Sequence, residues 1–150
     1  GGAGFGEDDV VEAFATFSTE GFTRITDGTL PTQHQIADSV AIWVRDAAVP
    51  QYLEIDPTDP EDTTTPFPEG TIIVKQNYDE AGDATGAATV LAKMAPGFAP
   101  ESGDWWWGRF GADGELAESG VIGYCVSCHE GNGLPRTDWV KGVAAESRLP

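Results

Sequence analysis

Thr71-Ile72-Ile73-Val74-Lys75-Gln76-Asn77-Tyr78 is the segment from which the fold of this chain can be read. Its first four residues are β-branched, which stiffens χ1 and suits a pleated surface. Turn-forming residues bound it, Glu69-Gly70 before and Glu80-Ala81-Gly82-Asp83 after, so it predicts a strand. Ala87 to Met94 is a second apolar run and Trp105 to Phe110 a third. The segments Gly82 to Gly86 and Gly111 to Gly114 read as hairpin turns. Three successive strands with short connections predict an antiparallel meander. Farther out, Val40-Ala41-Ile42-Trp43-Val44 is β-branched and aromatic and predicts another strand. Glu7 to Phe17 places acids first, then Val10, Val11, Ala13, Phe14 and Phe17 at helical spacing, which predicts a short N-terminal helix. The fold class expected is mainly β (α+β), an antiparallel β-sheet meander behind that helix.

Between residues 46 and 70 the chain carries Pro50, Pro57, Pro60, Pro66 and Pro68, with acids and threonines clustered from Asp56 to Thr65. Neither flank is long enough to fold usefully alone, so this is an ordered loop within one domain spanning 1–150. Its acidic, proline-rich part, 56–68, is expected to stay solvated, as a connector or as a lid. Residues 1–6, Gly-Gly-Ala-Gly-Phe-Gly, are expected to be flexible. With 40% hydrophobic residues the 150-residue chain can build a real core. A formal charge of −17, from 25 acids against 8 bases, speaks against nucleic acid or an anionic membrane as partner. It favours a basic protein partner or a salty habitat. No run approaches the ~20 apolar residues that span a bilayer.

The chemistry concentrates at Cys125-Val126-Ser127-Cys128-His129. C-x-x-C-H reads as a c-type haem attachment site: two thiols form thioethers with the porphyrin vinyl groups and the next residue ligates the iron. Two intervening residues in a tight turn present both sulfurs to one edge of the macrocycle, and Gly123 and Gly131 suit such a turn. Both cysteines lie inside the motif, so no disulfide framework is available elsewhere. A zinc site usually needs four protein ligands, and beyond the motif the chain offers only His34. A thioredoxin-like pair should open a helix in a βαβ unit, whereas this motif lies among glycines near the C-terminus. Covalent haem c is thus the expected cofactor. Thioether attachment in bacteria takes place outside the cytoplasm, so a periplasmic or extracellular location is expected, with a signal peptide removed.

A set of segments in order, Phe67-Pro68-Glu69-Gly70-Thr71-Ile72-Ile73-Val74-Lys75, Val90-Leu91-Ala92-Lys93, Gly97 to Trp105, Cys125 to His129 and Thr137-Asp138-Trp139-Val140, resembles the cytochrome P-460 family over about two thirds of the chain. The resemblance implies an antiparallel β fold with a few helices, a C-terminal haem c with His129 as proximal ligand, and a distal pocket walled by the sheet. Members of that family oxidise hydroxylamine, and the related β-sheet cytochromes c-prime bind nitric oxide. The resemblance also gives Lys75 the place of a lysine covalently joined to the porphyrin. The hydroxylamine oxidisers are expected to carry a distal arginine and a glutamate where this chain has Val40 and Thr89, with Arg45 and Glu101 as nearby replacements.

Other residues carry two readings each. His34 is a sixth iron ligand or a loop histidine, and Met94 a sixth ligand or a core residue. Lys75 is a pocket lysine or an outward one with a buried stem. Alternation sends Trp105 and Trp107 to one face and Trp106 to the other, as sheet packing or as part of a docking surface or electron path. Phe67 and Phe98 cap the distal side or anchor loops. The function expected is an exported monohaem c-type cytochrome that binds or redox-processes a small nitrogen-oxide-type ligand. An electron-transfer cytochrome or a haem-bearing subunit of a larger redox complex is the alternative, and a gas sensor a third reading. Val40 and Thr89 leave enzymatic turnover open.

Overall fold

A computed structural model describes residues 5–31, 39–131 and 133–150. Its frame is one antiparallel sheet. The strands are β1 (Phe22–Arg24), β2 (Leu30–Pro31), β3 (Ser39–Arg45), β4 (Ile72–Tyr78), β5 (Ala84–Lys93), β6 (Trp105–Phe110) and β7 (Leu116–Gly120). Their order is β1-β3-β4-β5-β6-β7, with β2 also pairing β3. The predicted meander is therefore β4-β5-β6, and β7 extends it by a hairpin that closes where Gly111 N–H donates to the Glu115 carbonyl at 2.9 Å. The turn between β4 and β5 lies earlier than Gly82 to Gly86. Asp79 closes it, its N–H donating to the Asp83 carbonyl at 2.9 Å and its carboxylate accepting from the Ala81 and Asp83 amides.

Helix α1 (Glu7–Phe14) starts at Gly6, whose N–H donates to Asp9 Oδ2 at 2.8 Å, with Glu7, Asp8 and Asp9 in the first turn. It ends three residues before the predicted Phe17 because Thr16, Ser18 and Thr19 are weak helix formers. Phe17 nevertheless stays buried through the turns that follow. Phe5, inside the segment expected to be flexible, is held by its N–H donating to Glu69 Oε2.

The two faces of the sheet are distinct. On one, α1 and its neighbours cover Ile72 and Val74 of β4, Ala88, Val90 and Ala92 of β5, and Trp106 and Phe110 of β6. Phe14 stacks on Phe110 with centroids 3.9 Å apart. Gly108 makes this face possible, since a Cβ there would lie 2.3 Å from the Trp106 ring. The other face carries Val40, Ile42 and Val44 of β3, Ile73 of β4, Leu91 of β5, and Trp105 and Trp107 of β6. It is covered by the loop after β3 and by the C-terminal segment.

That loop is less of a solvated connector than its composition predicts. After a 3-10 turn (Asp46–Ala48), helix α2 (Val49–Leu53) buries Tyr52, and Ile55 and Phe67 are buried beside it. Only the acidic stretch from 56 to 66 is largely exposed. Tyr52 donates to the Lys141 carbonyl at 2.9 Å, which ties the loop to the C-terminal segment; burial holds its hydroxyl well above the usual tyrosine range. No helix among the described residues is long and apolar enough to cross a membrane.

Candidate functional site

The Cys-Val-Ser-Cys-His motif is not a tight turn. It lies in helix α3 (Gly123–Gly131). The consequence for the side chains is the one the motif requires, because Cys125, Cys128 and His129 sit at i, i+3 and i+4 and so share one helical face. Cys125 is half-buried, Cys128 is exposed, and the two are not joined in a disulfide. Their position near the start of a helix removes one argument against a thioredoxin-like pair. Two others stand: the sheet is wholly antiparallel, and burial pushes the Cys125 thiol up, although Lys75 pulls it down. A redox pair needs the opposite shift.

His129 is buried, with its ring edge-on to Trp107 and the centroids 4.7 Å apart. Its Nδ1 lies 2.5 Å from the Trp139 carbonyl. A carbonyl can only accept, so Nδ1 carries a proton; in the neutral ring the lone pair then sits on Nε2, the form in which imidazole ligates a metal. Trp139 follows Asp138 in a turn where both residues adopt positive φ, 67° and 51°.

Lys75 lies on this face by alternation, two residues from Ile73. Register places Ile42 opposite it on β3 and Thr89 opposite it on β5, and Arg109 of β6 pairs with Thr89. Burial holds the Lys75 ammonium below the usual lysine range, while Cys125 and Cys128, close enough to act on it electrostatically, oppose that shift. Lys75 and the cysteine pair, 50 residues apart in the chain, are thus brought together.

Arg45 is not brought to them. β3 directs Ile42 and Val44 to the site face, so Arg45 points to the other, where its guanidinium lies 5.9 Å from the Phe5 ring and donates to the Gly70 carbonyl at 3.1 Å. The expectation that Arg45 replaces a distal guanidinium is overturned by that alternation. Glu101 is exposed in a 3-10 turn (Pro100–Ser102). Phe98 and Met94 belong to the α1 side: Phe98 is exposed on an open groove shared with Phe5 and Met94, and Met94 is buried in the α1-side core. Neither faces His129. Phe67 does lie in the site-side core, 6.0 Å from Trp105, with its N–H donating to Asp138 Oδ2 at 2.8 Å. His34 lies outside the described residues.

The site face holds groups that sequence reasoning missed. Arg109 forms an ion pair with Glu118 of β7 at 2.6 Å, and Tyr124, next to Cys125, donates to the same carboxylate oxygen at 3.0 Å. Register would have exposed this pair: once Lys75 faces Thr89, the next strands put Arg109 and Glu118 in the same row. Thr89 stands in this row, and Val40 lies beside it, two residues from Ile42 and opposite Asn77. Two buried donors on this face, Asn77 Nδ2 and Trp107 Nε1, have no hydrogen-bond partner. Leaving such a group unpaired costs about 1–3 kcal/mol, so a face with two of them is suited to an acceptor supplied from outside the chain. Two thiols one helical turn apart, an imidazole with its Nδ1 occupied and an apolar sheet wall with spare donors fit a covalent haem.

Comparison with family models, curated proteins and solved structures returns no match.

Proposed function

We propose that this chain is an exported monohaem c protein of the cytochrome P-460 type, with haem joined to Cys125 and Cys128 and its iron ligated by His129. The observation that carries this reading is that α3 sets the two cysteines and His129 on one face, while Trp139 holds the imidazole in its ligating tautomer. Haem supplies the redox and ligand-binding chemistry, and the residues around it supply orientation and polarity. Lys75, Thr89 and Asn77, on the sheet face beside α3, are the residues that would line a haem held by this motif. Lys75, with its ammonium disfavoured by burial, is the residue suited to bond with the macrocycle or to donate to a bound ligand. The unpartnered amide of Asn77 favours a small ligand rich in acceptor atoms, which describes nitrogen oxides. A sixth ligand from Met94 or His34 would favour the electron-carrier alternative; Met94 is buried on the opposite face of the sheet, and His34 lies outside the described residues. A charge of −17 suits a basic redox partner.

The test is to produce the chain in a host that attaches haem c and to measure its intact mass and its reduced spectrum with and without carbon monoxide. One covalent haem, lost on Cys125→Ala/Cys128→Ala, and a spectrum that carbon monoxide changes are expected. A chain that matures without haem sinks the reading, and a low-spin spectrum indifferent to carbon monoxide sinks the open-pocket part of it. A porphyrin-linked peptide containing Lys75 is the signature of the crosslink. His129→Ala is expected to abolish normal iron ligation.

A further inference from the structure

The Asp138-Trp139 turn is held by more buried bonds than a surface turn needs. Two consecutive residues with side chains and positive φ cost about 1–3 kcal/mol each, so their surroundings must enforce them. The Asp138 carboxylate accepts from Lys93 Nζ at 2.6 Å and from the Phe67 amide at 2.8 Å through the same oxygen. Lys93, at the end of β5, is itself buried, also donates to the Gly103 carbonyl at 2.7 Å, and lies 4.7 Å from the centre of the Trp105 ring. The Asp138 carbonyl accepts from Trp105 Nε1 at 2.7 Å, and the Trp139 amide donates to the Leu134 carbonyl at 2.7 Å. Gly103 leaves room for the packing, since a Cβ there would lie 2.7 Å from the Trp139 ring. What emerges from this fixed turn is one carbonyl, that of Trp139, aimed at His129 Nδ1.

We propose that Asp138, kept buried by Lys93, is a positioning residue for His129. It fixes the turn whose carbonyl accepts the Nδ1–H bond, and so it holds the ring proton on Nδ1. The ion pair reaches the imidazole through one peptide and touches neither it nor any ligand. The value of Nε2 as an iron ligand rests on the haem reading above, whereas the locked imidazole does not.

The experiment is nitrogen NMR on the full-length chain carrying labelled histidine, reduced and carbon monoxide-bound if haem is present. With only two histidines, His34→Gln assigns the spectrum. The unaltered chain is expected to show His129 as a single Nδ1–H tautomer whose proton exchanges slowly. Lys93→Met/Asp138→Gly removes the anchor while glycine still accepts the positive φ. Exchange of the Nδ1 proton is then expected to accelerate about ten-fold or more. Lys93→Met/Asp138→Asn keeps an acceptor for the Phe67 amide and is expected to restore most of the slow exchange. If the glycine variant does not fold, Trp105→Phe, which removes the indole N–H that the Asp138 carbonyl accepts and shortens the buried ring while leaving Asp138 and Lys93 in place, is expected to give a smaller acceleration. An unchanged tautomer and exchange rate in the glycine variant, or in Trp105→Phe where that replaces it, overturns the proposal and leaves the ion pair a purely structural bond. Intact mass on the same samples reports haem separately: a locked imidazole in a chain without haem keeps the proposal and sinks the cofactor reading.

Discussion

The two faces of the sheet bury similar aromatic and aliphatic side chains and differ in what else they bury. On the α1 side, Ile72, Val74, Val90, Trp106 and Phe110 meet Val10, Phe14 and Phe17 in an apolar layer. On the other side, every buried polar or charged strand residue, Asn77, Thr89 and Lys93, sits among the hydrophobic ones, with His129 and Asp138 packed over them. A polar group inside a protein costs free energy unless it is paired. One face is therefore built for stability, while the other accepts unfavourable groups, two of them unpaired donors.

The comparison breaks if substitutions on the two faces behave alike. Phe110→Ala, which removes a buried ring stacked on Phe14, is expected to cost about 3–5 kcal/mol in urea unfolding and, if the chain carries the proposed haem, to leave its spectrum unmoved. A spectral change as large as that of a site-face variant would contradict the division. On the site face, Lys93→Met alone strands the Asp138 carboxylate in the interior and is expected to cost about 3–5 kcal/mol. Adding Asp138→Asn is expected to recover much of that loss, because the penalty belongs to the unpaired charge rather than to the missing pair. Smaller is Gly108→Ala, at about 1–3 kcal/mol, since the Trp106 ring must shift to admit the methyl group. A neutral outcome in urea unfolding would mean that the α1 face repacks freely.

The strands were legible because their signal is local. β4 opens with four β-branched residues in a row counting Thr71, and the hydrophobic runs of β3, β5 and β6 fall where the structure pairs them. The short edge strands β1 and β2, and β7 with Glu118 and Ser119, carry too little apolar pattern to be read without partners. Helix α3 was hidden for a related reason: glycines at both ends and cysteines between them resemble a turn until packing against Trp107 imposes the helix. In the site, the Cys-x-x-Cys-His spacing was readable directly and places its three side chains on one helical face, while Lys75 was singled out only through a resemblance. Arg45 failed because facing depends on register, and a one-residue difference in counting moves a side chain through the sheet. The Lys93–Asp138 pair spans 45 residues and shows no spacing pattern at all.

Lys75 offers the finest test of the division, since its cost is electrostatic rather than steric. Burial lowers its folded pKa below the ordinary value of 10.5 that the unfolded chain retains. Below the folded pKa both states hold the proton, and the folded state bears the whole cost of desolvating the ammonium. Between the two values the unfolded chain holds a proton that the folded one has released, so stability rises with pH across that window. Lys75→Met removes this dependence. In a Cys125→Ala/Cys128→Ala background, where haem cannot attach, the methionine variant is expected to be the more stable at neutral pH. Its advantage should shrink as pH climbs toward 10.5, read as urea midpoints of the two chains at each pH. A constant difference would mean that Lys75 reaches solvent and that the site face is no drier than the surface. Repeating the comparison with haem attached sharpens the answer, because a nitrogen bonded to the porphyrin no longer titrates as an amine. A pH dependence present without haem and lost with it is what a crosslink at Lys75 predicts.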